Sequence, residues 1–169
     1  GSIHQHRSCL ADMKGKAIGS SALSLIDDPA IPRGLGSAPW DGDAFLAKRR
    51  EIITNGVLND FYINMYYARK LDMPPTTGGR TNWVVPPGDR PWKDIAAGLP
   101  KAIVVTGFLG GNSNPSTGDF SFGVRGLLYE HGEPTKNLSE MNVSGNITSI
   151  FHQLAEVADD PWTWSSVRS

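Results

Sequence analysis

Cysteine is almost missing from this chain of 169 residues, which has one, Cys9. A single cysteine excludes a disulfide framework within the chain and a zinc site built from several cysteines. It also favours a reducing compartment, so we expect a cytoplasmic protein. No apolar run approaches the roughly 20 residues that a membrane helix needs. Residues 1–7 do not have the apolar segment of a signal peptide.

An excess of charge of either sign is missing as well. The 16 Lys and Arg residues are balanced by 17 Asp and Glu residues, which gives a net charge of −1. This balance excludes an extended basic surface, so we expect neither nucleic acid nor a membrane as a partner. Glycine and proline, by contrast, are abundant, with 19 and 12 residues. Their number predicts many turns, short strands and little helix.

Glycine and proline concentrate in long loops, at residues 27–39, 73–91 and 107–118. None of these segments repeats another, and none is long enough to link two domains. The sequence therefore predicts one domain over residues 1–169. Ordered loops of this length often serve a function.

A hairpin is predicted where residues 49–53 and 57–63 flank Asn55-Gly56, a strong turn signal. A two-residue loop would oppose two acidic side chains across the strands. A three-residue loop that ends at Gly56, in the left-handed conformation, avoids this and is the preferred interpretation. The predicted cross-strand pairs are Ile52 with Leu58 and Arg50 with Asp60.

Strand patterns outnumber helix patterns in the rest of the chain. Further strands are predicted around residues 23–26, 83–85, 103–108, 119–130 and 135–141. One clear amphipathic helix is predicted from Ile147 to Val157 near the C-terminus, capped by Ser144 or Asn146. A short helix is predicted over 92–97, and 65–71 fits either type. The class is therefore α+β, with mainly antiparallel β-sheet and long Gly/Pro-rich loops.

Motifs for metal or phosphate chemistry are missing too. The four histidines are scattered, and no His-Glu-x-x-His, P-loop, dinucleotide-binding or nucleophile-elbow pattern occurs. His4 and His6 would share one face of a strand and could bind a metal, although a surface pair is the more common outcome. His152 lies four residues before Glu156, a spacing typical of a local ion pair on a helix. We assign no catalytic residue and no metal ligand.

The glycine-rich segment 107–118 is the best candidate for contact with a ligand. Adjacent glycines let another backbone approach closely, and the strand that follows has small side chains on one face. A peptide could bind there as an added strand, with an arginine to meet a carboxylate or a carbonyl. A simple hairpin connection is the alternative. The candidate peptide-binding residues are Gly110, Gly111, Asn112, Ser121, Gly123 and Arg125.

Several segments together resemble the TldD/PmbA family, whose members are described as modulators of DNA gyrase and as predicted zinc peptidases. The likeness is closest to the PmbA (TldE) branch and covers nearly the whole chain. The matching segments are 25–29, 34–37, 53–58, 67–71, 107–114, 117–123, 141–146, 159–162 and 165–168.

The resemblance implies that the chain is most of a C-terminal domain, without the family's N-terminal half and last strands. In TldD-type members a His-Glu-x-x-x-His helix and a later cysteine hold zinc. That helix would precede Gly1, and the cysteine would fall near Val167 or Arg168, where this sequence has none. The resemblance therefore implies zinc in a TldD-type partner and no cofactor in this chain.

Three hypotheses for function follow. The first is a non-catalytic subunit that contributes a peptide-binding groove to a metallopeptidase complex, for peptides and unfolded proteins. Its partner would be a TldD-like subunit, or a second copy of the same chain. The second is a peptidase in its own right, with His4, His6 and a carboxylate on the metal. The third is a purely structural assembly domain. Any link to DNA gyrase is expected to be indirect, because the sequence has no DNA-reading motif.

Overall fold

The structure is a computed structural model that describes residues 7–160 and the backbone of 167–168. It is built mainly from antiparallel sheet, which confirms the predicted α+β class. The helices are α1 (Met65–Leu71), α2 (Trp92–Ala97) and α3 (Ile147–Gln153). The strands are β1 (Leu25–Asp27), β2 (Arg50–Thr54), β3 (Val57–Leu58), β4 (Trp83–Val84), β5 (Lys101–Ser113), β6 (Asp119–Glu130), β7 (Glu133–Asn146) and β8 (Val167–Arg168).

One sheet has five short strands in the order β3-β2-β1-β4-β8. Its pairs are antiparallel except for β4 with β8, which run parallel. The main hydrophobic core lies against this sheet. It is a cluster of buried aliphatic side chains, on which Phe151 of α3 also packs. The buried members of the cluster are Ile18, Ile52, Ile53 and Leu58.

The β2–β3 hairpin forms, but with a different loop from the predicted one. Ile53, not Ile52, pairs with Leu58, so the loop has two residues, Asn55 and Gly56. Both have positive φ, +48° and +80°, as in a turn whose twist matches the strands. The acidic clash that argued against this register does not arise, because β3 ends at Leu58 and the chain leaves the strand before Asp60.

The second sheet has three long strands in the order β5-β6-β7. The predicted bounds of β6 are correct, since Phe120, Phe122 and Val124 alternate with small or polar residues. The predicted loop 107–118 is largely wrong, because residues 107–113 continue β5 and only 114–118 turn the chain. Two irregularities in β5, between Val105 and Gly107 and between Phe108 and Gly110, obscure its alternation.

All three helices begin where the sequence predicts, but α3 ends earlier than predicted. α2 has the predicted bounds, 65–71 is helical, and Asn146 caps α3 by accepting from Thr148 N at 3.1 Å. α3 ends at Gln153, short of the predicted Val157. The carbonyl groups at its end accept hydrogen bonds from Ser20 instead of continuing the helix: Ser20 N donates to Phe151 O at 2.9 Å and Ser20 Oγ to Leu154 O at 2.6 Å. The predicted contact of His152 with Glu156 is therefore wrong.

Candidate functional site

The candidate site lies on the β5–β6–β7 sheet, whose two faces differ in chemistry. β6 is regular, so its odd-numbered residues share one face with the residues paired to them. β5 has two bulges, each of which adds one residue to the strand. Gly107 and Gly110 therefore lie on the same face although they are three positions apart in sequence. We call the part of this face around Ser121, Gly123 and Arg125 the polar face. Its members are Gly107, Gly110, Asn112, Ser121, Gly123, Arg125, Asn142 and Ser144.

Gly110 and Gly123 pair directly across β5 and β6, so neither residue places a side chain on the polar face. Leu109 Cβ lies beside Gly123, and Asn142 of β7 pairs with Gly123 from the other side. A Cβ atom added to Gly110 would meet no atom within 4 Å, and one on Gly123 would meet only Gly110 O and Leu109 Cβ, both at 3.7 Å. We call this strip the glycine trough. It is open to a ligand above the sheet.

Hydrogen-bonding side chains lie at one end of the trough. Asn112 pairs with Ser121, and Ser121 also exchanges hydrogen bonds with Asn142, at 3.1 and 3.3 Å. The amide and hydroxyl groups at this end are exposed. Arg125 lies at the other end, opposite Gly107. The trough is thus bounded by neutral polar groups on one side and a guanidinium on the other.

Gly111 does not join the other predicted site residues. It pairs with Phe122 on the opposite face, and a Cβ atom added there would lie 2.6 Å from Phe122 Cδ1. The Phe122 ring stacks on Phe120 and meets Phe108 edge-on, with centroids 5.9 and 5.7 Å apart. A Cβ atom at Gly111 would also collide with the main chain of Ser121 and Phe122, so this glycine makes room for both the β6 backbone and the aromatic ring.

The position of β6 limits how a peptide can bind here. Both of its edges are taken, by β5 and by β7, so no further strand can pair with β6 main chain. A ligand on the polar face would instead meet the side chains of Asn112, Ser121 and Asn142. Sequence reasoning missed Asn142, because its place beside Ser121 depends on a β7 register that contains two bulges.

An apolar cavity of about 410 Å³ lies beside the main core. Aromatic and aliphatic side chains line it, and its one carboxylate, on Asp60, already accepts from Lys14 and Arg50 at 2.9 and 3.0 Å. Ligand sites combine an apolar wall with converging free polar groups. Among the polar groups that line this cavity, Ser8 already accepts from Leu10 N at 3.3 Å and Tyr62 from Trp83 Nε1 at 2.7 Å. The cavity is therefore the weaker candidate.

The described residues do not fit a zinc ion. No three or more His, Cys, Asp or Glu side chains of residues 7–160 come together in a way that could hold a metal. His131 lies in the β6–β7 turn, His152 lies in the last turn of α3, and Cys9 lies beside Pro115. His4 and His6 fall outside the described residues. No helix of the described part is long and apolar enough to cross a membrane.

The geometry defines an α+β domain with two sheets, one of which presents an open polar face. Comparison with known proteins identifies it further. The chain belongs to the family described as PmbA/TldA metallopeptidase C-terminal domain, whose model matches residues 1–169. The resemblance to the TldD/PmbA family is thereby confirmed.

Relatives from distant organisms match almost the whole chain. The metalloprotease PmbA of Escherichia coli O157:H7 is 30% identical over 99% of this chain and 38% of its own length. A zinc metalloprotease TldD homolog of Saccharolobus solfataricus is 26% identical over 89% of this chain and 37% of its own length. The chain thus spans well under half the length of these relatives.

A solved structure shows the same fold. It is a Bacteroides thetaiotaomicron protein described as a proposed modulator of DNA gyrase, 39% identical to this chain. The TM-score is 0.93, and the match covers 99% of this chain and 38% of that one.

Proposed function

We propose that this chain holds peptide substrate in a metallopeptidase complex without carrying out the cleavage itself. The glycine trough is the observation that carries the proposal. Gly110 and Gly123 leave space for a peptide backbone, and Asn112, Ser121 and Asn142 offer donors and acceptors to its amide groups. Few side-chain demands suit peptides and unfolded proteins of varied sequence.

The zinc of such a complex would belong to a TldD-like partner subunit, since the described residues offer no set of ligands. The name of the Saccharolobus relative, a zinc metalloprotease, supports zinc chemistry in the family. Within the complex this chain would bind and orient the peptide, while hydrolysis would take place at the partner's metal. We also expect the complex to act in the cytoplasm and any effect on DNA gyrase to be indirect.

The variant Gly123→Val tests the role of the trough. The Cβ atom of the new side chain makes no clash, because the atoms nearest to it would be 3.7 Å away, and valine is well suited to a strand. It would nevertheless fill the trough. We expect the complex with the metal-bearing partner to form and to process peptide at least about tenfold more slowly, a loss of about 1.4 kcal/mol in binding.

Gly145→Val is the matched control. Gly145 lies in the same sheet on the opposite face, where a Cβ atom would meet the Phe120 ring at an ordinary 3.6 Å. We expect this variant to process peptide at the wild-type rate. Unchanged processing by a folded Gly123→Val variant would remove the trough and favour a purely structural role for the domain.

A further inference from the structure

The side chain of Arg125 is exposed and passes over Gly107 of the neighbouring strand β5. Arg125 is in the central strand and pairs with Gly107 of β5. A Cβ atom added to Gly107 would lie 2.8 Å from Arg125 Nε, 3.5 Å from Cγ and 3.6 Å from Cζ. The missing side chain of Gly107 therefore leaves the space that the Arg125 side chain occupies beside β5.

No acidic side chain neutralises this guanidinium within residues 7–160. The ion pairs of the described part use other cations, such as Lys101 with Glu130 in the same sheet. Arg125 thus presents its planar set of N–H donors, unpaired, at the end of the glycine trough. Arginine binds carboxylates through two parallel hydrogen bonds, which makes this geometry suited to a carboxylate.

We infer that Arg125 anchors a carboxylate of the bound peptide. Gly107 contributes by leaving the space in which the Arg125 side chain lies. The inference rests on the proposed function, since it names the chemistry that the same trough selects. Arg125 and Gly123 are two residues apart on one face, about 7 Å along the strand. A peptide over the trough would therefore place a carboxylate one or two residues away on Arg125. The carboxylate can be the C-terminus or an Asp or Glu side chain.

Calorimetric titration of the full chain with three peptides tests this inference. All are versions of one neutral decapeptide of Ser, Ala and Leu: with a free C-terminal carboxylate, with a C-terminal amide, and with the amide plus one central Glu. We expect at least one carboxylate-bearing version to bind about tenfold or more tightly than the neutral amide. Which version does so identifies the source of the carboxylate.

Variants then assign the preference to Arg125 and Gly107. Arg125→Met should abolish the preference. Gly107→Ala should reduce it while keeping the charge, because its methyl group would displace the guanidinium. Gly79→Ala is the matched control, since a Cβ atom there meets nothing within 4 Å, and it should keep the full preference.

The two levels of the proposal fail in different ways. Equal binding of acid and amide peptides, or a preference that survives Arg125→Met, would overturn the inference and leave the trough in place. Full preference in Gly107→Ala would overturn the positioning role of Gly107. No binding of any of the three peptides would overturn both the inference and the trough.

Discussion

Arg50 donates to Asp60 at 3.0 Å, although the two residues do not face each other in the β2–β3 hairpin. The predicted ion pair therefore forms through a register that was expected to prevent it. The chain leaves β3 after Leu58, and Asp60 turns back to meet both Arg50 and Lys14. Hydrogen bonds from Lys14, Arg50 and its own backbone neighbour outweigh burial and lower the pKa of Asp60.

Removal of the Arg50 charge should strongly destabilise the fold. Its side chain is 15% exposed and also donates to Phe61 O at 3.2 Å and Thr77 Oγ1 at 2.6 Å. Asp27, 1% exposed, lies 3.7 Å from it. Arg50→Met leaves these buried groups without their cation, so we expect a loss of about 3–5 kcal/mol in the free energy of unfolding by urea.

Lys14→Met is the control for Arg50→Met. Lys14 also meets Asp60 but is 45% exposed, and exposed ion pairs contribute at most about 1 kcal/mol. Similar losses in the two variants would contradict the prediction. They would mean that the contacts of Arg50 with Asp60, Phe61 and Thr77 add no more stability than an exposed ion pair.

Gly56→Ala should cost more than its backbone conformation alone explains. The left-handed conformation costs about 1–2 kcal/mol for alanine. In addition, a Cβ atom at Gly56 would collide with the carbonyl oxygens of Gly19 and Ser20, and overpacking adds about 1–3 kcal/mol. We expect a total loss of about 3 kcal/mol in the free energy of unfolding.

Gly15 separates the two contributions to that loss. Its φ of +77° matches the +80° of Gly56, but a Cβ atom there meets nothing within 4 Å. Gly15→Ala should therefore show the conformational cost alone. Equal losses in the two variants would mean that the carbonyl groups of Gly19 and Ser20 move aside freely.

The sequence predicts elements well where one local pattern determines them. β6 alternates apolar and polar residues, and α2 lies between Pro91 and Gly98, so both have the expected bounds. β5 was missed beyond Phe108 because two bulges and three glycines hide its period. α3 was predicted too long because hydrogen bonds from Ser20, distant in sequence, satisfy the carbonyl groups at its end.

The site was predictable in part for the same reason. Ser121, Gly123 and Arg125 alternate along β6, so their common face follows from the sequence. Gly110 lies on the same face as these residues, whereas Gly111 lies on the opposite face. This difference depends on the bulges of β5 and cannot be predicted from the local sequence. No local pattern reveals that Gly107 makes room for Arg125, because the two residues meet across strands.

The purified chain is expected to bind no stoichiometric zinc. It has one cysteine and four histidines, and residues 7–160 bring no ligand set together. Elemental analysis after dialysis against a weak chelator is the measurement. One tightly held zinc per chain, lost in His4→Ala or His6→Ala, would overturn this prediction and favour a peptidase in its own right.

Tyr62 should ionise well above the pH at which a free tyrosine does. Burial raises its pKa to about 12, against the effect of the hydrogen bond it accepts from Trp83 Nε1 at 2.7 Å. Because an unfolded tyrosine has a pKa of about 10, stability linked to this proton is complete below pH 10 and falls as the pH rises toward 12. Phenolate absorbance should show a component near pH 12 that Tyr62→Phe removes and that Tyr66→Phe, at an exposed position, retains. If Tyr62→Phe instead removes absorbance from the component near pH 10 of an ordinary tyrosine, the hydroxyl is in contact with water and the prediction is wrong.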